Sequence, residues 1–143
     1  MKLRVVIFED DASLLLLLRH LLHRNNNFEV LGYSDPTMCP LYANPTCRCT
    51  REEACADILL TDNHMPNMTG LEFIHQQCLR GCKGIMKQKA VMSADLRPED
   101  IALAEELGCR IFRKPFQAPE LLNWVHACEA DISLERKLVN MQS

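Results

Sequence analysis

No apolar run in these 143 residues is long enough to cross a bilayer. The run Leu14 to Leu18 is far too short, and it follows an acidic segment rather than the basic one of a signal peptide. The expectation is a cytoplasmic protein with no membrane insertion. A basic surplus is also missing: 16 Lys and Arg stand against 19 Asp and Glu, for a formal net charge of -3. Binding along a phosphate backbone needs clustered cations, so no direct nucleic-acid contact is expected. Internal repeats and low-complexity tracts are absent as well. What is present, 48% hydrophobic and 24% charged residues over a chain of this length, describes one folded domain with a substantial core.

Leu3 to Phe8 is an apolar, β-branched run broken by one basic residue, as expected of a buried parallel strand. Ser13 can cap a helix over Leu14 to Arg24, which Asn25-Asn26-Asn27 ends. Strands follow at Phe28 to Tyr33 and Asp57 to Thr61, and Gly70 to Leu79 carries apolar residues at helical spacing. Lys89 to Met92 reads as a fourth strand, Glu99 to Leu107 as a helix stopped by Gly108, and Arg110 to Arg113 as a fifth strand. Pro119 can open the last helix. Strands alternating with helices predict a doubly wound α/β sheet whose site lies at the carboxyl ends of the strands.

One crossover breaks the rhythm. Residues 34 to 55 hold Pro36, Pro40 and Pro45 together with Cys39, Cys47, Cys49 and Cys55, a proline density that a regular helix does not tolerate. An irregular connection is expected there. The four cysteines lack CxxC knuckles and leave three readings open: a thiolate site for Zn²⁺ or a similar metal, a disulfide staple, or plain thiols. Cys78 and Cys82 could pair or join such a site, while Cys109 and Cys128 read as packing residues.

The chemistry concentrates at two strand ends. Glu9-Asp10-Asp11 closes the first apolar run, and Asp62 closes the third ahead of Met65-Pro66. Brought together, such carboxylates can hold a hard divalent cation and leave one aspartate free as a nucleophile toward phosphorus.

With Gly70-Leu71-Glu72, Val91-Met92-Ser93-Ala94 and Phe112-Arg113-Lys114-Pro115-Phe116 in the same order at later element ends, the sequence resembles the receiver domain of two-component response regulators. The resemblance covers about residues 3 to 130, with 131–143 left as a helix extension or tail. It implies a flavodoxin-like, five-stranded parallel sheet of order 2-1-3-4-5. Asp62 would be the phosphoacceptor, and Glu9, Asp10, Asp62 and the backbone carbonyl of His64 would bind Mg²⁺. Lys114 and Ser93 would contact the phosphoryl oxygens, and the bond from Lys114 to Pro115 is typically cis. The implied partners are a sensor histidine kinase or histidine phosphotransfer protein upstream and an output protein downstream. There is no room in this chain for a DNA-binding output domain, so it is expected to act alone in a chemotaxis-regulator-like form or to be a fragment of a larger regulator, with no enzymatic activity beyond self-phosphorylation and self-dephosphorylation. One position departs from the pattern: three residues before Lys114 the family carries an aromatic, and here Ile111 stands.

Five consecutive leucines cover more than one face of the first helix, since neighbours step about 100° around its axis. Some should be exposed, as a docking patch for a phosphotransfer partner or as a homodimer contact. His64 and the helical His20, His23, His75 and His126 read as surface side chains. Two other functions compete. A phosphohydrolase of the haloacid dehalogenase type wants an aspartate two residues after its nucleophile, where His64 stands. A receiver-like scaffold could instead sense metal or redox state through the cysteine segment.

Overall fold

The computed structural model describes residues 3–24, 28–34, 57–65, 68–79 and 88–131. Their order is β1 (Leu3–Phe8), α1 (Ala12–His23), β2 (Phe28–Tyr33), β3 (Ile58–Asp62), α2 (Gly70–Leu79), β4 (Lys89–Ser93), α3 (Pro98–Leu107), β5 (Arg110–Arg113) and α4 (Ala118–Asp131). The five strands form one parallel sheet of order β2-β1-β3-β4-β5, the order that the resemblance to receiver domains implies.

Strand alternation sorts the core into two layers. The odd residues of β1, Leu3, Val5 and Ile7, pack with Leu18 and Leu22 of α1 and Leu121 and Val125 of α4. The even residues Val6 and Phe8 pack with Phe73 and Ile74 of α2 on the opposite side. Both faces are covered, which is why β1 and β3 are buried along their whole length and read as continuous apolar runs.

Several boundaries differ from the sequence reading. Helix α1 begins two residues earlier, and its cap is Asp11 rather than Ser13: Asp11 Oδ1 accepts from the amides of Ser13 at 2.9 Å and Leu14 at 3.2 Å. A carboxylate at the cap meets two orphan N–H groups at once and sits at the positive end of the helix dipole. Strand β3 is shifted by one residue. Asp57 stays outside it because its carboxylate accepts the Arg4 amide at 2.8 Å, while Asp62 remains in register opposite Met92. Strand β4 runs one residue further, to Ser93, which pairs with Arg113. Helix α3 starts at Pro98, with Asp100 bonded back to the Arg97 amide, and ends as expected at Gly108, whose φ of 76° is left-handed. Helix α4 starts one residue before Pro119, which therefore sits in its first turn.

Several parts of the sequence reading fall outside the described residues: the Asn25-Asn26-Asn27 helix stop, the crossover with Cys39, Cys47, Cys49 and Cys55, Pro66, the side chain of Cys78, the residue Cys82, and the segment after Asp131. Cys128 is buried against the α1 and α4 layer, and Cys109 packs at the edge of the other. Among the described residues no helix is long and apolar enough to cross a membrane.

Candidate functional site at the carboxyl ends of the strands

Register brings the acidic groups together. Strands β1 and β3 are neighbours with Phe8 opposite Thr61, so the next residues along each, Glu9 and Asp62, emerge side by side. The ladder continues past the strand ends and fixes each loop where it leaves the sheet. Glu9 N–H donates to the Tyr33 carbonyl at 3.0 Å, Asn63 N–H to Met92 at 3.0 Å, and Lys114 N–H to Ser93 at 3.0 Å. One oxygen each from Glu9, Asp10 and Asp62 lie within 4.8 Å of one another.

Lys114 closes the cluster from β5. Its Nζ donates to Glu9 Oε2 at 2.9 Å and to Asp62 Oδ2 at 3.1 Å. The remaining oxygens are also engaged: Glu9 Oε1 accepts from the Asp11 amide at 3.1 Å, and Asp62 Oδ1 from the His64 amide at 3.1 Å. The bond from Lys114 to Pro115 is cis.

Burial sets the electrostatics. The Glu9 side chain is 0% exposed and that of Asp62 only 7%, whereas Asp10 is open to solvent. Burial pushes the Glu9 carboxyl up to about 7, with the nearby Asp62 charge adding to it and the Lys114 and Asp11 hydrogen bonds opposing it. Burial pulls the Lys114 ammonium down, yet its contacts with Glu9 and Asp62 outweigh this and raise it above the ordinary lysine value. The site therefore holds a fixed cation against carboxylates that share too little positive charge.

The donor set suits a hard divalent cation. It consists of carboxylate oxygens, those of Glu9 and Asp62 each with lone-pair capacity beyond the one hydrogen bond they accept, and solvent reaches it through Asp10.

Ser93 lies 1% exposed at the end of β4, and its Oγ accepts from the Asp95 amide at 3.2 Å. Ile111 and Phe112 divide between the two faces as alternation demands. Ile111 packs with Leu71 and Val91 on the α2 and α3 side, while Phe112 is buried opposite, against Phe116 and Trp124. The His64 side chain is exposed, with Nε2 3.2 Å from the Asp95 carbonyl. His20, His23, His75 and His126 are exposed too.

Sequence reading missed the supports under this rim. Asn63 is 3% exposed, and its Oδ1 accepts the Leu71 amide at 3.2 Å, tying the loop after Asp62 to the start of α2. Thr69 Oγ accepts the Glu72 amide at 3.1 Å, and the T-x-x-E spacing of a helix start was the available signal. Gly70 stood in the sequence only as part of the Gly70-Leu71-Glu72 motif, which does not show what it touches. A Cβ there would stand 2.4 Å from the Asp62 carbonyl oxygen and 2.7 Å from Thr61 Oγ, so the helix can approach the Asp62 backbone only without a side chain.

No family model matches the chain. Two curated relatives, the sensory/regulatory protein RpfC of two strains of Xanthomonas campestris pv. campestris, are each 38% identical to it over 69 residues. That is 47% of this chain and 10% of each relative, so the chain matches only a small part of their length. Solved structures are similar over nearly the whole chain. The chemotaxis response regulator CheY4 of Vibrio cholerae aligns with 90% of this chain and 99% of its own, at 21% identity and a TM-score of 0.68. The HemR receiver domain of Leptospira biflexa aligns over 96% and 100%, at 20% identity and 0.69, and a response regulator receiver domain from Clostridium thermocellum over 90% and 95%, at 20% and 0.70. The fold is that of response regulator receiver domains.

Proposed function

We propose that this chain is a response regulator receiver that accepts a phosphoryl group on Asp62 from a histidine kinase or histidine phosphotransfer protein and signals through altered partner binding. The observation that carries this reading is the Lys114 ammonium between Glu9 and Asp62 at the carboxyl end of a receiver-fold sheet. In the transfer, an Asp62 carboxylate oxygen attacks phosphorus in line. The bond to the donor nitrogen or oxygen breaks as the new O–P bond of an acyl phosphate forms, and the electron pair leaves with the donor. Lys114 is already charged and within hydrogen-bond reach, so it can follow the phosphoryl oxygens without reorganising. Ser93 Oγ keeps a proton to donate, since its contact with Asp95 uses only a lone pair. Glu9, Asp10, Asp62 and the His64 carbonyl would hold Mg²⁺, which when bound neutralises phosphoryl charge. Glu9 and Asp10 serve that ion rather than the phosphorus.

Helix α1 supplies the surface a donor protein would use. Leu16 and Leu17 are 70% and 52% exposed, and beside them an open apolar groove of about 430 Å³ runs past Leu14 and Phe116 to Lys114. A phosphotransfer domain seated there would meet Lys114, whose Nζ lies 3.1 Å from Asp62; a second copy of the chain is the alternative occupant.

The direct test is incubation with a small acyl phosphate and Mg²⁺ followed by intact mass. A phosphoryl adduct that Asp62→Asn abolishes supports the reading. Absence of an adduct from folded protein refutes it.

A further inference from the structure

Hydrogen bonds link Asp62 to Ser93 by way of two surface loops, and from them we infer that the His64 imidazole is a positioning residue, acting through Asp95 to hold the Ser93 hydroxyl in place beside Asp62. This inference rests on the reading of Asp62 as phosphoacceptor.

The links run in sequence. His64 N–H donates to Asp62 Oδ1 at 3.1 Å, His64 Nε2 lies 3.2 Å from the Asp95 carbonyl, and Asp95 N–H donates to Ser93 Oγ at 3.2 Å. The circuit closes through the sheet, where Asp62 stands opposite Met92, the residue before Ser93. A carbonyl oxygen carries no proton, so the imidazole donates, and Nε2 is the protonated nitrogen. The ring thus clamps the loop after β4 to the loop after β3.

That clamp matters because of what holds Ser93. A hydroxyl rotates freely until its lone pairs or its proton are engaged. Here the Asp95 amide fixes one lone pair, which leaves the proton to point elsewhere. Asp95 itself is exposed in a stretch without regular structure between β4 and α3, so its amide is only as well placed as its tethers. One such tether is the His64 imidazole on the Asp95 carbonyl.

The experiment is a double-mutant cycle on the full chain. His64→Ala should slow adduct formation from a small acyl phosphate about two- to tenfold, the range a net hydrogen bond supports. His64→Gln, whose carboxamide N–H can still reach the Asp95 carbonyl, should recover most of the rate. In a Ser93→Ala background, His64→Ala should change the rate little. An equal loss in both backgrounds, or no rescue by Gln, overturns the inference. A second measurement needs no phosphoryl donor: Ser93→Ala should move the NMR signal of the His64 ring and leave the other four histidines in place. If the ring signal is unmoved, the link is not there. Wild-type protein that shows the coupled ring signal yet forms no adduct would instead remove the phosphoacceptor reading, and with it the catalytic meaning of the clamp.

Discussion

Lys114 Nζ stands 3.1 Å from the Asp62 carboxylate, although 52 positions separate the two residues in the chain. Parallel pairing creates this contact: β3 and β5 both flank β4, so their ends deliver an aspartate and a lysine to one rim. The same ammonium lies 2.9 Å from the fully buried Glu9. It is the fixed positive charge of the cluster.

Removing that charge should affect chemistry more than folding. Lys114→Ala is expected to slow phosphoryl uptake on Asp62 roughly a hundredfold, the loss typical of deleting one preorganised donor to developing charge. It should also lower unfolding stability without divalent cation by about 1–3 kcal/mol, because Glu9 and Asp62 lose a charged hydrogen bond while buried. Adduct kinetics by mass and a urea titration give the two numbers. A stability loss with unchanged uptake would place Lys114 in the scaffold alone.

The buried Glu9 makes stability fall with rising pH. Its folded value of about 7 lies above the ordinary glutamate value of 4.5, so the proton is held more tightly in the folded chain. That contribution is complete below about 4.5 and is lost as pH climbs through about 7. Each tenfold gain in proton affinity is worth about 1.4 kcal/mol, which limits the loss to about 3 kcal/mol. Urea midpoints of metal-free protein should therefore decline across this window. Glu9→Gln should flatten that part of the slope, and Mg²⁺, which favours the ionised carboxylate, should offset it. A slope that persists unchanged in Glu9→Gln would assign it to other groups.

Gly70 has little room for change. A methyl group there must push against the Asp62 carbonyl and Thr61 Oγ, both part of the rim. Gly70→Ala should cost about 1–3 kcal/mol by overpacking, and because the strain falls on the backbone of Asp62, uptake from a small acyl phosphate should drop as well. Equal stability and equal uptake in the variant would show that α2 can retreat freely.

The strands and their acidic ends were legible in the sequence for one physical reason, while the strand order and the places of Lys114 and Ser93 came from the resemblance to receiver domains. Buried parallel strands leave continuous apolar runs, and acidic residues that end such runs, Glu9 and Asp62, have no structural need to be there. Helix starts were less legible, since Asp11 and Ser13 both have cap chemistry and only geometry shows which carboxylate or hydroxyl reaches the free amides. Gly70 appeared only as part of a motif, and the structural roles of Gly70 and Asn63 were not legible because they depend on distances to backbone atoms elsewhere in the fold. The link from His64 through Asp95 to Ser93 was hidden for the same reason: two of its three contacts use backbone groups of Asp95, which no side-chain pattern encodes.

In helix α1 the packing role and the proposed docking role fall on different residues within one turn. Leu18 is 1% exposed and belongs to the core, so Leu18→Ala should cost about 2–5 kcal/mol. Leu16 and Leu17 point outward, and replacing both with serine should change stability by no more than about 0.5 kcal/mol per site. Their effect should appear only when the phosphoryl donor is a protein. With a small acyl phosphate the double variant should match wild type, because that donor reaches Lys114 and Asp62 without touching the helix. With a phosphohistidine protein as donor the transfer rate should fall at low donor concentration and recover at high concentration, the signature of weakened docking with intact chemistry. Parallel rates for wild type and variant with both donors would remove α1 as the docking face, and a lower rate with both would place these leucines in the chemistry itself.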